Sequence, residues 1–469
     1  PYKKTTNNAY HQAQLPVREQ SEATGHAVRA MYLYSGMADV AREYEDEALE
    51  AACDRLWDNV TREKMYVTGG VGATHMGEAF SFGYDLPNDT AYSETCAAIG
   101  LVFWARRMLQ LKPRGKYGDV MELTLYNTVL AGMALDGKSF FYVNPLEVFP
   151  QACHEDARKF HVKSVRQKWF GCACCPPNIA RLVSSVAAYA YTESHPFDAG
   201  EKVDMDTLWI HLYMGSVLTK QVWNSEVKTI HDKKPLDIKV ESQLPWEGRV
   251  KVLLRGDQVQ CRLAFRVPGW CSEMKASYRC GGRQGQVTID AEGISVKADC
   301  EAASPVGESA GDKSCVCGKP GAATVIYRDG YLYIEGIWQD DDEIILEMDM
   351  PVRILEADAR VRENIGKVAI ARGPIVYCLE EVDNGKDLHL CRVDMQTLKA
   401  SDIELETTEE LGHPMTVLKV PGKRLLPAES ADLYHTAQLA REQDVTLRMV
   451  PYYAWNNRGE GEMSVWLRR

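Results

Sequence analysis

Leu208-Trp209-Ile210-His211-Leu212-Tyr213-Met214 is the stretch at which the chain changes its period. From about Asp206 onward the period is two. Val250-Lys251-Val252-Leu253-Leu254, Cys261-Arg262-Leu263-Ala264-Phe265-Arg266-Val267, Tyr331-Leu332-Tyr333-Ile334 and Glu343-Ile344-Ile345-Leu346-Glu347-Met348 read as short strands with turn signals between them. Strands of that kind without intervening helices predict β-sandwiches. Upstream the spacing is helical: Ala27, Met31, Tyr34 and Met37 fall on one face of a helix from His26 to Tyr44. Further helices are expected over 46–60, 93–111 (capped by Ser93), 117–135 and 178–191. An α-rich half followed by a β-rich half predicts a multidomain protein.

Between Val67 and Tyr92 lies a glycine-rich passage without period, including Thr68-Gly69-Gly70-Val71-Gly72-Ala73-Thr74-His75-Met76-Gly77-Glu78-Ala79-Phe80. Structureless stretches of that length in compact domains tend to be functional. The segment from Lys297 to Ala323, rich in Gly, Ser, Ala and Asp, is expected as a surface loop or insertion, its Cys315-Val316-Cys317 a weak metal signal.

A chain of 469 residues is too long for a single core. Its 45% hydrophobic and 26% charged content suits a globular protein. A net charge of −12 argues against nucleic acid or an anionic membrane as partner, because both demand a basic surface. No apolar run of about 18 residues is present, so no membrane span is expected. The first residues, Pro1-Tyr2-Lys3-Lys4-Thr5, carry no apolar signal core. The 14 cysteines are irregularly spaced, several within apolar runs, and read as mostly reduced thiols.

Two short pieces carry the strongest chemical signal. Glu94-Thr95-Cys96 and Cys174-Cys175 together offer three thiols and one carboxylate, a ligand set that suits tetrahedral zinc. Cys174-Cys175 runs into Pro176-Pro177-Asn178, a helix start, where positive potential favours thiolates. Taken singly, Cys96 is a small core residue and the vicinal pair is two structural thiols or a strained disulfide. Glu78 is either a solvated loop carboxylate or a general acid raised by Phe80 and Phe82. His26 and His75 are candidates for a substrate hydroxyl or a metal, against an ordinary local hydrogen bond. Tyr142 reads as a core or sugar-stacking aromatic.

Tyr66-Val67-Thr68-Gly69-Gly70, His75-Met76-Gly77-Glu78-Ala79-Phe80, Tyr92-Ser93-Glu94-Thr95-Cys96-Ala97 and Cys172-Ala173-Cys174-Cys175-Pro176-Pro177-Asn178 resemble the β-L-arabinofuranosidases of glycoside hydrolase family 127. So do Val361-Arg362-Glu363-Asn364-Ile365-Gly366-Lys367 and Pro451-Tyr452-Tyr453-Ala454-Trp455-Asn456-Asn457-Arg458-Gly459. The resemblance runs through the whole chain. It implies an (α/α)6-barrel catalytic domain followed by two β-sandwiches, and removal of terminal β-L-arabinofuranosyl groups with retention. It places the C-terminal part of the barrel at 1–192, one sandwich at 193–295 completed by 405–469, and the other at 296–404. The family's barrel begins upstream of Pro1, and about half of its helices are expected there.

By the same resemblance Cys174 is the nucleophile, Glu78 the general acid/base, and Glu94, Cys96, Cys174 and Cys175 the zinc ligands. His26 and Tyr142 align with residues that contact the sugar, and His75 joins them as a substrate-binding candidate. The implied partners are Zn2+ and an L-arabinofuranoside; a homodimer is compatible with the sandwiches. A reading of another class is a non-catalytic glycan-binding or structural protein with a closed Cys3Glu zinc site. Hydrolysis by a metal-bound water is a third, requiring an open coordination position.

Overall fold

The computed structural model describes residues 7–194, 205–222, 233–291, 293–298, 303–305, 313–317, 323–427, 432–437, 439 and 441–469. These form two compact units. The first comprises Pro1–Trp104, Leu123–Leu182 and Val352–Arg469, and the second Ala105–Glu122 and Val183–Pro351.

Helix α1 (Ala27–Tyr44) buries Ala27, Ala30, Met31, Tyr34, Met37, Ala38 and Ala41, the apolar stripe expected of the 3.6-residue period. In α2 (Glu47–Asn59) the Asp46 side chain accepts from Leu49 N at 2.9 Å, satisfying one orphan donor of the first turn. The helix α3 (Thr95–Leu111) starts one residue later than a Ser93 cap would give. Glu94 fills that place instead: its carbonyl accepts from Ala97 N and Ala98 N, at 2.9 and 3.1 Å. Ser93 has φ of 37°, a left-handed conformation, and its Oγ is buried without a partner among the described residues.

The helix expected over 117–135 runs as α4 (Gly115–Thr124) and then widens into a π turn, Leu125–Val129. Asn127 is the reason. Its Nδ2 donates to Leu123 O and Pro374 O, and its Oδ1 accepts from Val376 N, each at 2.8 Å. A short α5 (Pro150–Glu155) follows, then α6 (Cys175–Ser184), with prolines at its second and third positions. The helix expected over 178–191 is interrupted after Ser184 and resumes as a short piece, Ala187–Ala190, before Tyr191–Ser194 pairs with Thr207–Ile210 as a strand.

A ten-stranded sheet completes the first unit. Its strands come from 352–468, plus Glu147–Val148 at one edge, which pairs with Met463–Ser464. The second unit holds two seven-stranded sheets. Lys234–Ser242 shows the two-residue period plainly, with Leu236, Ile238 and Val240 turned inward. Those residues and Val252, Leu254 and Ile344 from one sheet share a hydrophobic cluster with Leu263, Phe265, Leu332 and Ile334 from the other.

The strand assignment corrects the expected boundaries in the β half. Glu404–Thr408, Met415–Leu425 and Glu442–Pro451 join the sheet of Ile375–Glu380, not that of 193–295. Thr324–Arg328, Tyr331–Trp338 and Glu343–Met348 pair with strands of 249–280, so 296–404 is divided between the units. Strand periodicity reports which face is buried, not which neighbour is taken. Within the expected loop 297–323, Ala303–Pro305 and Lys313–Cys317 are paired strands; the side chains of Cys315 and Cys317 lie outside the described residues. Among the described residues no helix is long and apolar enough to cross a membrane.

Candidate active site

Two helix starts in the first unit bring the thiols together. Cys96 sits in the first turn of α3, and Cys174 and Cys175 open α6, where Asn178 N donates to Cys174 O at 3.2 Å. The side-chain ligand atoms of Glu94, Cys96, Cys174 and Cys175 all lie within 4.8 Å of one another. Cys96 Sγ is 3.5 Å from Cys175 Sγ, and Cys174 Sγ is 3.5 Å from Glu94 Oε1 and 3.7 Å from Cys175 Sγ. Cys96, Cys175 and Glu94 are buried, whereas Cys174 is half-buried. Beside the cluster opens a cavity of about 350 Å³ lined by Val28, Tyr32, Cys96, Cys174, Pro177 and Asn178, among others.

Two single backbone bridges position the remaining residues. Glu94 bridges Val143, so Thr95 N donates to Tyr142 O at 2.9 Å and the Tyr142 hydroxyl reaches Cys174 Sγ at 3.3 Å. His26 bridges Ala79, with Ala27 N donating to Glu78 O at 2.9 Å, and this sets His26 Nε2 3.0 Å from Glu78 Oε2. Glu78 itself has φ of 53°, a left-handed strain held by the surrounding passage. Space is tight nearby: a Cβ on Gly70 would lie 1.9 Å from Ser93 Oγ and force that side chain to move.

The Tyr92 hydroxyl donates to Glu78 Oε1 at 2.8 Å, and its ring stands 6.1 Å from that of Tyr142. Tyr92 and Tyr142 therefore join the Glu78 carboxyl to the thiol cluster. Sequence reasoning singled out Tyr142 but not Tyr92, whose only signal was its place in the Tyr-Ser-Glu-Thr-Cys run. His161 was missed as well. Its ring stacks on that of His75 at 4.5 Å, and its Nε2 lies 3.2 Å from Thr90 O. The environment expected for Glu78 is corrected: its carboxyl meets His26 and Tyr92, while Phe82 is exposed and the Phe80 ring faces Lys64. Cys172 is exposed and stands outside the cluster.

The electrostatics are those of acidic groups crowded out of water. Burial first, and then the charge of Cys174, pushes Glu94 up to about 9. Hydrogen bonds from Cys175, then Cys96, Tyr142 and Glu94, bring Cys174 well below the usual thiol range, and the bond to Cys174 drives Cys175 the other way. Cys174 is thus the thiol of the cluster that ionises most readily, and Cys175 the one held back. Burial also lowers His26, against the opposing pull of Glu78. Glu94 Oε2 is buried, with no hydrogen-bond partner among the described residues. An orphan carboxylate oxygen among three thiols is the donor set and the unmet demand that a tetrahedral zinc ion fits.

Residues 2–188 match the family model described as the β-L-arabinofuranosidase GH127 catalytic domain. Residues 207–299 match the GH127 middle domain and 352–468 the glycoside hydrolase family 127 C-terminal domain. The chain belongs to glycoside hydrolase family 127. It is 37% identical over 465 residues to a non-reducing end β-L-arabinofuranosidase of Bifidobacterium longum subsp. longum, covering 98% of this chain and 62% of that protein. The crystal structure of a GH127 β-L-arabinofuranosidase from Geobacillus stearothermophilus T6 superposes with a TM-score of 0.80 at 43% identity, covering 98% of this chain and 63% of that one. A further solved glycoside hydrolase matches at TM-score 0.75 and 31% identity, covering 98% and 68%. The family 127 chain described here therefore spans somewhat under two thirds of the first two relatives.

Proposed function

We propose that this family 127 chain carries a retaining glycoside hydrolase site that releases L-arabinose from non-reducing-end β-L-arabinofuranosides. The observation that carries the reading is the joining of Glu78 to the Glu94, Cys96, Cys174 and Cys175 cluster through Tyr92 and Tyr142. The half-buried Cys174 acts as nucleophile and Glu78 as general acid/base. His26, Tyr142 and His75 contact the sugar. The helices belong to an (α/α)6 barrel and the β-rich parts to two sandwiches, through which a homodimer would form.

Tyr92 donates to Glu78 Oε1, which leaves Oε2, beside His26 Nε2, as the oxygen that carries the mobile proton. In the first displacement Cys174 sulfur bonds the anomeric carbon as the glycosidic C–O bond breaks, and Glu78 gives its proton to the departing oxygen. In the second, Glu78 takes a proton from water, the water oxygen bonds the anomeric carbon, and the C–S electron pair returns to Cys174. Two inversions give net retention. Zinc bound by Glu94, Cys96, Cys174 and Cys175 would supply positive charge that keeps the thiols deprotonated and makes sulfur a better leaving group. Tyr142 donates to the Cys174 thiolate before attack.

The test is hydrolysis of a chromogenic β-L-arabinofuranoside by the full-length form, with metal analysis alongside. Aglycone release with retention, about one zinc per chain, and a loss of at least about 10³-fold in Cys174→Ser are expected. Turnover near the parent level in that variant removes Cys174 from the mechanism. A protein that binds no zinc at saturating metal removes the ion.

A further inference from the structure

The ring contacts around Glu78 continue beyond Tyr92 to an open edge. His161 lies between two partners, stacked on His75 at 4.5 Å and tilted against Tyr92 at 6.0 Å. Phe160, its neighbour in the chain, stands edge-on to His75 at 5.7 Å and 85°. Phe160 is nonetheless 61% exposed, and Met76, in the same turn as His75, is 72% exposed. The ledge is anchored by the backbone. Glu78 N donates to His75 O at 3.2 Å, Thr74 bridges Ala79, and His161 Nε2 meets Thr90 O. A second exposed aromatic, Trp169, is 65% exposed; its neighbour Phe170 stands edge-on to Tyr142 at 5.5 Å.

These two open edges adjoin different groups of the proposed reaction. In a double displacement the leaving group departs on the side of the acid, opposite the nucleophile. Tyr142 and Phe170 accompany Cys174, whereas Tyr92, His161, His75 and Phe160 accompany Glu78. A largely exposed ring braced edge-on by a histidine offers apolar surface to a ligand, with the part-exposed His75 imidazole beside it. That combination suits a sugar ring, which alternates a C–H face with a polar rim.

We propose that Phe160, backed by His75 and His161, is the platform on which the leaving group's sugar ring lies, and that it sets the preference for glycosyl over simple alkyl leaving groups. The proposal rests on the reading above and deepens it. It is tested in the full-length form with a β-L-arabinofuranosyl disaccharide and methyl β-L-arabinofuranoside. In Phe160→Ala, kcat/KM for the disaccharide should fall about 10-fold further than for the methyl glycoside, Phe160→Tyr should restore the ratio, and Trp169→Ala should leave it at the parent value. Equal losses on both substrates, or none on either, overturn the platform. Should the parent enzyme cleave neither compound, the hydrolase reading fails by itself. Calorimetric titration with the sulfur-linked disaccharide then reads the platform: about 10-fold weaker binding by Phe160→Ala supports it, and undiminished binding overturns it.

Discussion

Glu94 and Glu122 are carboxylates equally removed from water, each 2% exposed, in different units of the molecule. Glu122 is answered from within. Arg266 Nη2 donates to it at 2.5 Å and Trp270 Nε1 at 2.7 Å, while Arg266 Nη1 donates to Asp119. Glu94 meets thiols on one oxygen, and among the described residues its other oxygen has no hydrogen-bond partner. Burial raises both carboxyl groups, but the Arg266 charge pulls Glu122 back, whereas Cys174 adds to the rise at Glu94. A buried acid with its cation built in is architecture. A buried acid set among thiols is a donor set that a metal cation suits.

The contrast is broken most strongly by paired substitutions. Glu122→Gln should destabilise the second unit by about 3–5 kcal/mol, because Arg266 is left buried with only Asp119 for a counter-charge, and should not alter metal content. Glu94→Gln should do the reverse, lowering zinc occupancy while the metal-free protein unfolds within about 1 kcal/mol of the parent. Urea midpoints and metal analysis on both variants decide it, and equal stability losses would erase the distinction.

Acid provides a finer probe of the second unit. His211 is wholly buried between Thr192 Oγ1 at 2.7 Å and Tyr331 OH at 2.6 Å, and burial, then the Arg266 charge, holds it down to about 3. It stays neutral in the folded protein while the unfolded chain takes up a proton near pH 6.5. Its contribution to stability is therefore complete above about pH 6.5 and is lost at about 1.4 kcal/mol per pH unit as pH falls towards 3. Stability curves against pH should lose that slope in His211→Gln. The smallest effect is expected at Tyr92. Tyr92→Phe removes one of two contacts on Glu78 and should cut kcat about 10-fold with KM little changed; a change in KM alone would move Tyr92 from orienting the acid to binding the sugar.

The parts of the fold that were legible in the sequence are those dictated by local period and ligand chemistry. Helices α1 and α2 followed from apolar residues three and four apart, and α6 from two prolines after a cysteine pair. Glu94, Cys96, Cys174 and Cys175 were visible because thiols and a carboxylate next to helix starts are a chemically distinctive donor set. What escaped depends on the third dimension. The Asn127 side chain, tied to Pro374 and Val376, widens the helix into a π turn, and nothing within 117–135 announces those partners. Tyr92 and His161 are ordinary core-type residues until the chain brings them beside Glu78 and His75. Sheet membership in the β half escaped for the same reason, since the apolar run that opens Met415–Leu425 fits a strand of either sheet.

The glycine-rich passage and the helix starts reach the site as separate attachments, one through the His26–Ala79 bridge and the other through Glu94–Val143. Inheritance can act on them independently. On the proposed reading, changes in the loop away from Glu78 would alter the leaving-group side of the site while the Glu94, Cys96, Cys174 and Cys175 cluster kept its own support.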